Sequence, residues 1–219
     1  MENDILHNMH VRRLDVAHFP VVFIIDNSQS MGDDRITKIN NAIADFVKTI
    51  NNDEFYRDIV DLFFASLFNK SGKNEKFLPT TEIRTIKYEI EHSVYNTFSE
   101  VIEIIKERVR LYRRLGTPCF KPLIVTIASA EMYINFHDRF KELVSLFKAN
   151  QYDIIFVGTE ECTKECLIDQ SKKTLVLIND DFSALFNWVF EAFLKYINYG
   201  MPSNERGDLE LPVNIVFKQ

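Results

Sequence analysis

Residues 21–32 constrain the fold more than any other part of the chain. Residues 21–25 are five apolar residues without polar alternation, a pattern typical of a strand buried on both faces of a sheet. Asp26, Ser28 and Ser30 follow directly, and apolar residues at helical spacing come next. Ligands of open parallel sheets bind beyond the carboxyl ends of the strands. The segment therefore predicts an α/β sheet with an oxygen-rich loop at its ligand-binding edge.

The rest of the chain alternates apolar runs with amphipathic patterns. Three further runs have the length and composition of buried strands: residues 123–128, 154–157 and 175–178. Four stretches carry apolar residues at helical spacing: residues 36–50, 98–112, 138–150 and 181–198. Asp33 or Asp34 is expected to cap the first of these helices. This order predicts an α/β fold, a doubly wound and mostly parallel sheet with helices on both faces.

Two segments are expected at the edges of the sheet. Residues 59–68 are strand-like and, together with residues 76–88, are compatible with an antiparallel hairpin. Near the end of the chain, apolar residues alternate over 213–217 as in a half-buried strand, and Pro212 favours an edge position. This tail strand has two possible neighbours, its own sheet or a second copy of the chain. A homodimer through the C-terminal strand is therefore left open.

Length and composition favour one domain with an extension at each end. The chain has 219 residues, of which 46% are hydrophobic, and its six glycines and six prolines are typical of a globular protein. We assign residues 1–18 to an N-terminal extension, residues 19–198 to the domain and residues 199–219 to a tail. The last helix has an unusually wide apolar face. We expect it to be buried beneath the tail, and a contact surface for a partner is the alternative.

Charge and cysteine content narrow the functional classes. The net charge of −6 argues against non-specific binding of nucleic acid. No apolar run is long enough to span a bilayer, and residues 1–18 lack the apolar core of a secretory signal, so a cytoplasmic protein without a membrane partner is expected. Cys119, Cys162 and Cys166 form no disulfide framework or zinc motif. Reduced thiols are expected, with a redox pair of Cys162 and Cys166 as the alternative.

Asp26, Ser28 and Ser30 supply the oxygen ligands that magnesium prefers. This ion takes one or two carboxylates together with neutral oxygens and keeps several waters. The same residue types also favour turns and helix caps, so a purely structural turn is the alternative. Thr97 opens a predicted helix, where capping is the simplest role for its hydroxyl group.

Residues 19–197 resemble a von Willebrand factor A (vWA) domain, in particular the bacterial subgroup associated with tellurium resistance. The resemblance is carried by the loop 26–31, by Asn96 and Thr97 at the start of a helix, and by the closing segment 179–188. It implies a Rossmann-like sheet and a metal-ion-dependent adhesion site. In that site Asp26, Ser28, Ser30 and Thr97 would be the magnesium ligands.

The resemblance also implies a defect in this site. In the family, the strand matched by residues 123–127 leads into a Thr-Asp-Gly loop whose aspartate is the second carboxylate. Aligned on this chain, that aspartate falls on Ala128, which cannot bind a cation; Glu131 reaching back, or a water held by Ser129, are the possible substitutes. Coulomb attraction scales with the charge at the site, at about 332/(εr) kcal/mol per pair of unit charges. The sequence therefore leaves magnesium binding open.

By this resemblance the protein is expected to be a non-enzymatic interaction module in a bacterial stress-response or defence system. Its partner protein would offer an acidic side chain that completes the coordination of the metal. A metal-free scaffold that uses the same face is one alternative. An enzyme of the phosphoryl-transfer or phosphatase type that uses Asp26 is the other. The phosphate-loop, dinucleotide-binding and Gly-x-Ser-x-Gly signatures are all absent from the sequence, which argues against an enzyme.

Overall fold

The structure is a computed structural model that describes residues 11–67, 95–150, 152–163, 174–199 and 215–217. Its centre is a sheet of six strands in the order β2-β1-β3-β4-β5-β6. The strands are β1 (Phe19–Ile25), β2 (Val60–Ser66), β3 (Leu123–Ala128), β4 (Asp153–Gly158), β5 (Thr174–Leu177) and β6 (Ile215–Phe217). The strands β1 to β5 are all parallel, and β6 pairs antiparallel with β5.

Helices cover both faces of this sheet. They are α1 (Gly32–Asn51), α2 (Glu54–Ile59), α3 (Tyr95–Leu115), α4 (Ala130–Asn135), α5 (His137–Ala149) and α6 (Phe182–Tyr199). Buried residues of α1 and α6 form one core with one face of the sheet, and buried residues of α3, α4 and α5 form a second core with the other face. The prediction of a doubly wound α/β fold is confirmed.

The central strand β1 shows why its sequence has no polar alternation. All seven residues of β1 are buried. Val21, Phe23 and Ile25 belong to the core beneath α1 and α6. Val22 and Ile24 belong to the core beneath α3, α4 and α5. Because successive side chains point to opposite faces and each face carries helices, every position must be apolar.

The first long helix begins without the predicted cap. Met31 is the N-cap residue of α1 and its side chain makes no capping hydrogen bond. Asp33 and Asp34 lie within the first turn, where negative charge is favoured by the helix dipole. Gly32 has a φ of +69°, a conformation that side-chain-bearing residues rarely adopt. The turn from β1 into α1 therefore depends on glycine, and the prediction that Asp33 or Asp34 caps the helix is wrong.

Two short helices were not predicted, and both have a polar cap. Asp53 precedes α2, and its side chain accepts hydrogen bonds from the backbone amides of Phe55 and Tyr56. Ser129 precedes α4 and accepts from the backbone amide of Met132. Each helix has six residues, which is too short for a 3.6-residue period to be recognised.

The wide apolar face of α6 is covered within the domain. Trp188 is 2% exposed and belongs to the core shared with α1. Phe190 and Phe193 contact Tyr56 of α2, with ring centroids 5.8 Å and 5.5 Å apart. Neighbouring helices therefore bury much of this face. The sequence predicts that the tail buries it, but residues 200–214 of the tail lie outside the described residues.

The two edge strands of the described sheet pair differently. At one edge, β2 runs parallel to β1, and its expected hairpin partner, residues 76–88, lies outside the described residues. At the other edge, Ile215–Phe217 pairs antiparallel with Leu175, Val176 and Leu177 of β5. Ile215 is 2% exposed and contributes to the core beneath α1 and α6. This part of the tail therefore pairs with the sheet of its own chain, and the homodimer stays a prediction.

Residues 11–18 pack against the amino end of the sheet. The backbone amide of His18 donates to the carbonyl of Pro118 at 3.0 Å, and the amide of Phe120 donates to the carbonyl of His18 at 2.8 Å. Val11 packs on Leu111 and Tyr112 of α3 in a small third cluster. The second half of the predicted N-terminal extension is therefore built into the described fold.

A buried polar cluster of four residues fixes this segment to the domain. Nδ1 of His18 donates to Oδ2 of Asp61 at 2.9 Å, and Arg108 and Tyr112 also donate to the Asp61 carboxylate. All four side chains are at least nine-tenths buried. Burial favours the neutral form of Asp61, but the charge of Arg108 and the hydrogen bonds from His18 and Tyr112 outweigh it and lower the pKa of this carboxyl group.

Replacing Asp61 by asparagine is expected to destabilise the fold strongly. Arg108 would lose its buried counter-charge, and the loss of one member of a buried ion pair costs about 3–5 kcal/mol. Urea unfolding at pH 7 measures the free energy of unfolding. The control is Asp15→Asn, whose carboxylate is 70% exposed and pairs with Arg13 at the surface, and for which at most about 1 kcal/mol is expected. Similar losses in the two variants would contradict the role of the cluster.

The wild-type protein should also lose this contribution in acid. Because the pKa of Asp61 is lowered in the folded state, its stabilising effect is complete above the ordinary aspartate value of about 4. The effect disappears as the pH falls through the lower folded-state value. The difference in unfolding free energy between wild type and Asp61→Asn should therefore shrink below about pH 4.

Candidate functional site

The topology places a crevice at the carboxyl ends of β1 and β3. The chain leaves β1 to form β2 on one side, and later returns to form β3 on the other side. Loops that leave two such neighbouring strands diverge, and this switch point is where open α/β sheets bind ligands. The backbone amide of Asp26 donates to the carbonyl of Ile127 at 2.8 Å, which joins the two strand ends. The loops after β1 and β3 therefore define the candidate site.

Asp26 lies at the bottom of this crevice. Its side chain is fully buried. Oδ1 accepts a hydrogen bond from the Ser28 amide at 2.9 Å, and Oδ2 accepts from the amide and the hydroxyl group of Ser129 at 3.1 Å and 2.8 Å. No Lys, Arg or His side chain in the described part of the chain forms an ion pair with Asp26. The carboxylate is thus satisfied by hydrogen bonds from two loops.

Three serine hydroxyl groups form a continuous chain from the carboxylate to the surface. Ser129 Oγ lies 2.8 Å from Ser30 Oγ, and Ser30 Oγ lies 2.7 Å from Ser28 Oγ. Ser129 is buried, whereas Ser28 and Ser30 are half-buried. The structure therefore brings together three of the residues selected from the sequence, Asp26, Ser28 and Ser30.

Ser129 lies next to the position that the vWA resemblance gives to the second carboxylate. The alignment with the vWA family put Ala128 in the place of the second carboxylate. Ala128 is the last residue of β3 and is buried in the core beneath α3, α4 and α5. Ser129 faces Asp26 instead, because side-chain direction alternates along a strand and the chain then turns into the loop. The hydroxyl group that faces Asp26 therefore belongs to Ser129, and the alignment of the family aspartate on Ala128 stays a prediction.

Two further candidates came from the sequence, Thr97 and Glu131. Thr97 lies in the first turn of α3, and its side chain is outside the described residues, so its predicted role as a ligand stays a prediction. Glu131 is exposed in the first turn of α4. Its expected approach to Asp26 is not among the hydrogen bonds that Asp26 accepts.

An ion cluster around Arg35 ties the neighbouring loops together. Arg35 Nε donates to Asp180 Oδ2 at 2.6 Å, Nη1 donates to the Ser30 carbonyl at 3.2 Å, and Nη2 pairs with Glu161. Asp180 Oδ1 accepts from the backbone amide of Glu160 at 3.1 Å. Burial opposes the charge of Arg35, but the two carboxylates outweigh this effect and raise the pKa of its guanidinium group. The loops after β1, β4 and β5 are therefore connected through one side chain.

The loop after β5 has an unusual backbone. Asn179 and Asp180 have φ values of +56° and +50°, in the left-handed region. Asparagine and aspartate adopt this region more readily than other side-chain-bearing residues. Asp181 follows, and its Oδ1 accepts from the amide of Ala184 at 2.9 Å, which caps α6. The sequence Asn-Asp-Asp thus provides a tight turn, a link to Arg35 and a helix cap.

The described loops at this edge are strongly acidic. Residues 26–35, 129–131, 159–163 and 178–181 contain one basic residue, Arg35. Their eight acidic residues are Asp26, Asp33, Asp34, Glu131, Glu160, Glu161, Asp180 and Asp181. A one-sided charge distribution of this kind attracts cations and repels anions.

The donor set fits a weakly held magnesium ion. Asp26, Ser28 and Ser30 offer hard oxygen atoms, which this ion prefers, and it commonly keeps several waters. A tight site needs more protein charge, and the described residues contain no group of three His, Cys, Asp or Glu side chains suited to a metal. Asp26 is the one carboxylate of the hydroxyl chain, and hydrogen bonds already engage both of its oxygens. These residues are therefore suited to a largely hydrated cation.

Cys119 lies at the amino end of the sheet, apart from this chemistry. Burial, and to a lesser extent the charge of Asp61, raises the pKa of the Cys119 thiol to about 12, which makes it a poor nucleophile. Cys162 is buried, with Sγ 4.0 Å from the carbonyl oxygen of Ala128. Cys166 lies outside the described residues, so its pairing with Cys162 is untested.

Comparisons with known proteins do not identify a family. No protein-family model matches the chain, and no curated protein is similar to it at a significant level. The resemblance to vWA domains therefore rests on the residues themselves. Within the ranges described, every helix is too short or too polar to cross a membrane.

Replacing Asp26 by asparagine should destabilise the protein moderately. Asparagine keeps one acceptor oxygen, but its amide nitrogen cannot accept, so either the hydrogen bond from Ser28 or those from Ser129 are lost, and a buried donor left without an acceptor costs about 1–3 kcal/mol. The free energy of urea unfolding is the measurement. Asp33→Asn, at an exposed position in the first turn of α1, is the control and should change stability by less than about 0.5 kcal/mol. Equal stability of the two variants would show that the Asp26 bonds do not organise the loops.

Proposed function

We propose that the protein is a non-enzymatic interaction module that binds a partner protein at the carboxyl edge of its sheet. The observation that supports this most directly is the convergence of Asp26 with the hydroxyl groups of Ser28, Ser30 and Ser129 at the switch point of the sheet. Polar groups that meet at this location are typical of a ligand-binding edge. By the vWA resemblance, the partner belongs to a bacterial stress-response or defence system in the cytoplasm.

A magnesium ion is proposed to mediate this contact. The oxygens of Asp26, Ser28 and Ser30 would hold it, with Thr97 as a further ligand by resemblance, and an acidic side chain of the partner would complete its coordination. The acidic surroundings support this arrangement, since a carboxylate of the partner would be repelled from this edge unless a cation lay between them. The ion would supply positive charge and coordination positions.

The geometry of Asp26 disfavours the enzymatic alternative. A phosphoryl-transfer nucleophile must form a covalent bond to its substrate through a free oxygen atom. Asp26 is fully buried and both of its oxygens accept hydrogen bonds. In the proposed cation site Asp26 needs no such bond, because its charge attracts the ion while Ser28 and Ser30 offer the nearer oxygens.

Ser129→Asp provides a sharp test of the cation site. A carboxylate at this position would lie next to Asp26, and two like charges in a buried site repel each other. We expect a lower melting temperature in EDTA, its recovery in MgCl2, and magnesium affinity at least about tenfold above that of the wild type by calorimetry. Ser129→Asn is the matched neutral control and should show no such recovery. A variant that is insensitive to magnesium would contradict a cation site at this cluster.

A random peptide library displayed on phage tests the docking surface itself. Peptides selected in MgCl2 should contain an Asp or Glu whose replacement by Asn or Gln removes binding. They should dissociate in EDTA and should not bind the Asp26→Asn variant. Peptides that bind the same edge equally well in EDTA would support the metal-free scaffold instead. Peptides that bind the Asp26→Asn variant as tightly as the wild type would contradict the proposed surface.

A further inference from the structure

The hydrogen-bond directions in the serine chain can be assigned from its geometry. A carboxylate only accepts, and a hydroxyl group has one hydrogen to donate. Ser129 Oγ gives its hydrogen to Asp26 Oδ2 at 2.8 Å and accepts from the Met132 amide at 3.2 Å. Ser129 therefore has no hydrogen left for Ser30. The contact of 2.8 Å between their oxygens requires Ser30 to donate.

The same reasoning applies one step nearer to the surface. The hydrogen of Ser30 is committed to Ser129, so the contact of 2.7 Å between Ser28 and Ser30 requires Ser28 to donate. All three hydroxyl hydrogens then point inward along the chain that ends on Asp26. The half-buried outer oxygens of Ser28 and Ser30 present their remaining lone pairs.

We infer that Ser129 is a positioning residue that makes this site selective for a positively charged ligand group. It fixes the direction of the Ser30 and Ser28 hydroxyl groups, so that they can only accept from, or coordinate, an incoming group. A carboxylate without a bound cation would face the lone pairs of the Ser28 and Ser30 oxygens and the buried charge of Asp26, and these would repel it. The inference rests on the proposed function and adds to it the residue that sets the preference for positive charge, and an ammonium group as a second ligand that satisfies this preference.

Two kinds of ligand carry the positive charge that the site would select. One is a divalent cation, and the other is an ammonium group such as that of a lysine side chain. The probes are therefore MgCl2, methylammonium chloride and sodium acetate, each titrated into the full chain. Backbone amide shifts of Ser28, Ser30 and Ser129 are followed by NMR. In the wild type we expect at least one of the two cations to bind at least about tenfold more tightly than acetate, a ratio close to the value of one hydrogen bond. Binding of MgCl2 would indicate a divalent cation as the ligand, and binding of methylammonium would indicate an ammonium group.

The variants separate this selectivity from a general structural role. In Ser129→Ala the Ser30 hydroxyl group is free to rotate, and the preference for the cation over acetate should fall about tenfold. Ser129→Thr keeps the hydroxyl group and should restore the preference. Ser129 also caps α4, so Ser30→Ala, which interrupts the chain at a half-buried position without removing this cap, should give the same loss.

The outcomes distinguish the inference from the proposed function. A preference that is unchanged in Ser129→Ala and Ser30→Ala overturns the inference and leaves the docking surface in place. If the wild-type protein binds acetate as tightly as the cations, the inference is likewise overturned and the docking surface stays in place. If no probe shifts these amides in the wild type, the inference falls together with the cation site of the proposed function.

Discussion

The buried carboxylate of Asp26 is the constraint on which the carboxyl edge of the sheet depends. A charge removed from water is costly unless hydrogen bonds replace those of the solvent. Here the replacement comes from Ser28 in its own loop and from Ser129 in the loop after β3. Because neither loop alone supplies all three hydrogen bonds, the carboxylate holds the two strand ends together. The serine chain is a direct result of this arrangement.

The two ends of the sheet solve the problem of a buried carboxylate differently. At the amino end, Asp61 receives the charge of Arg108 together with hydrogen bonds from His18 and Tyr112, so the cluster carries its own counter-charge. At the carboxyl end, Asp26 has hydrogen bonds but no ion pair among the described side chains. The first cluster is complete as a structural element. The second retains an uncompensated charge, which is the physical basis for expecting a ligand there.

The architecture could be predicted because it is recorded in local patterns. The uninterrupted apolar run of β1 indicates burial on both faces, and helical periodicity in α1, α3, α5 and α6 indicates their apolar faces. The position of Asp26 directly after β1 indicated the candidate site, and the structure brings Asp26, Ser28 and Ser30 together there. The contact between Ser129 and Asp26 was not predicted, because a loop carries no periodic signal that shows which side chain faces the neighbouring strand. The Asp61 cluster was missed because its members meet only in the folded chain, with Arg108 placed 47 positions after Asp61.

Arg35 gives the carboxyl edge a property that extends beyond its ion pairs. Its guanidinium group contacts Asp180, Glu161 and the carbonyl of Ser30, so the loops after β1, β4 and β5 share one anchor. Loops that are anchored in this way have little conformational entropy to lose when another molecule binds them. Association then sacrifices less conformational entropy than it would on independent loops. On the proposed docking surface, a weak central contact would therefore suffice for a specific complex, because the surrounding loops are already held together.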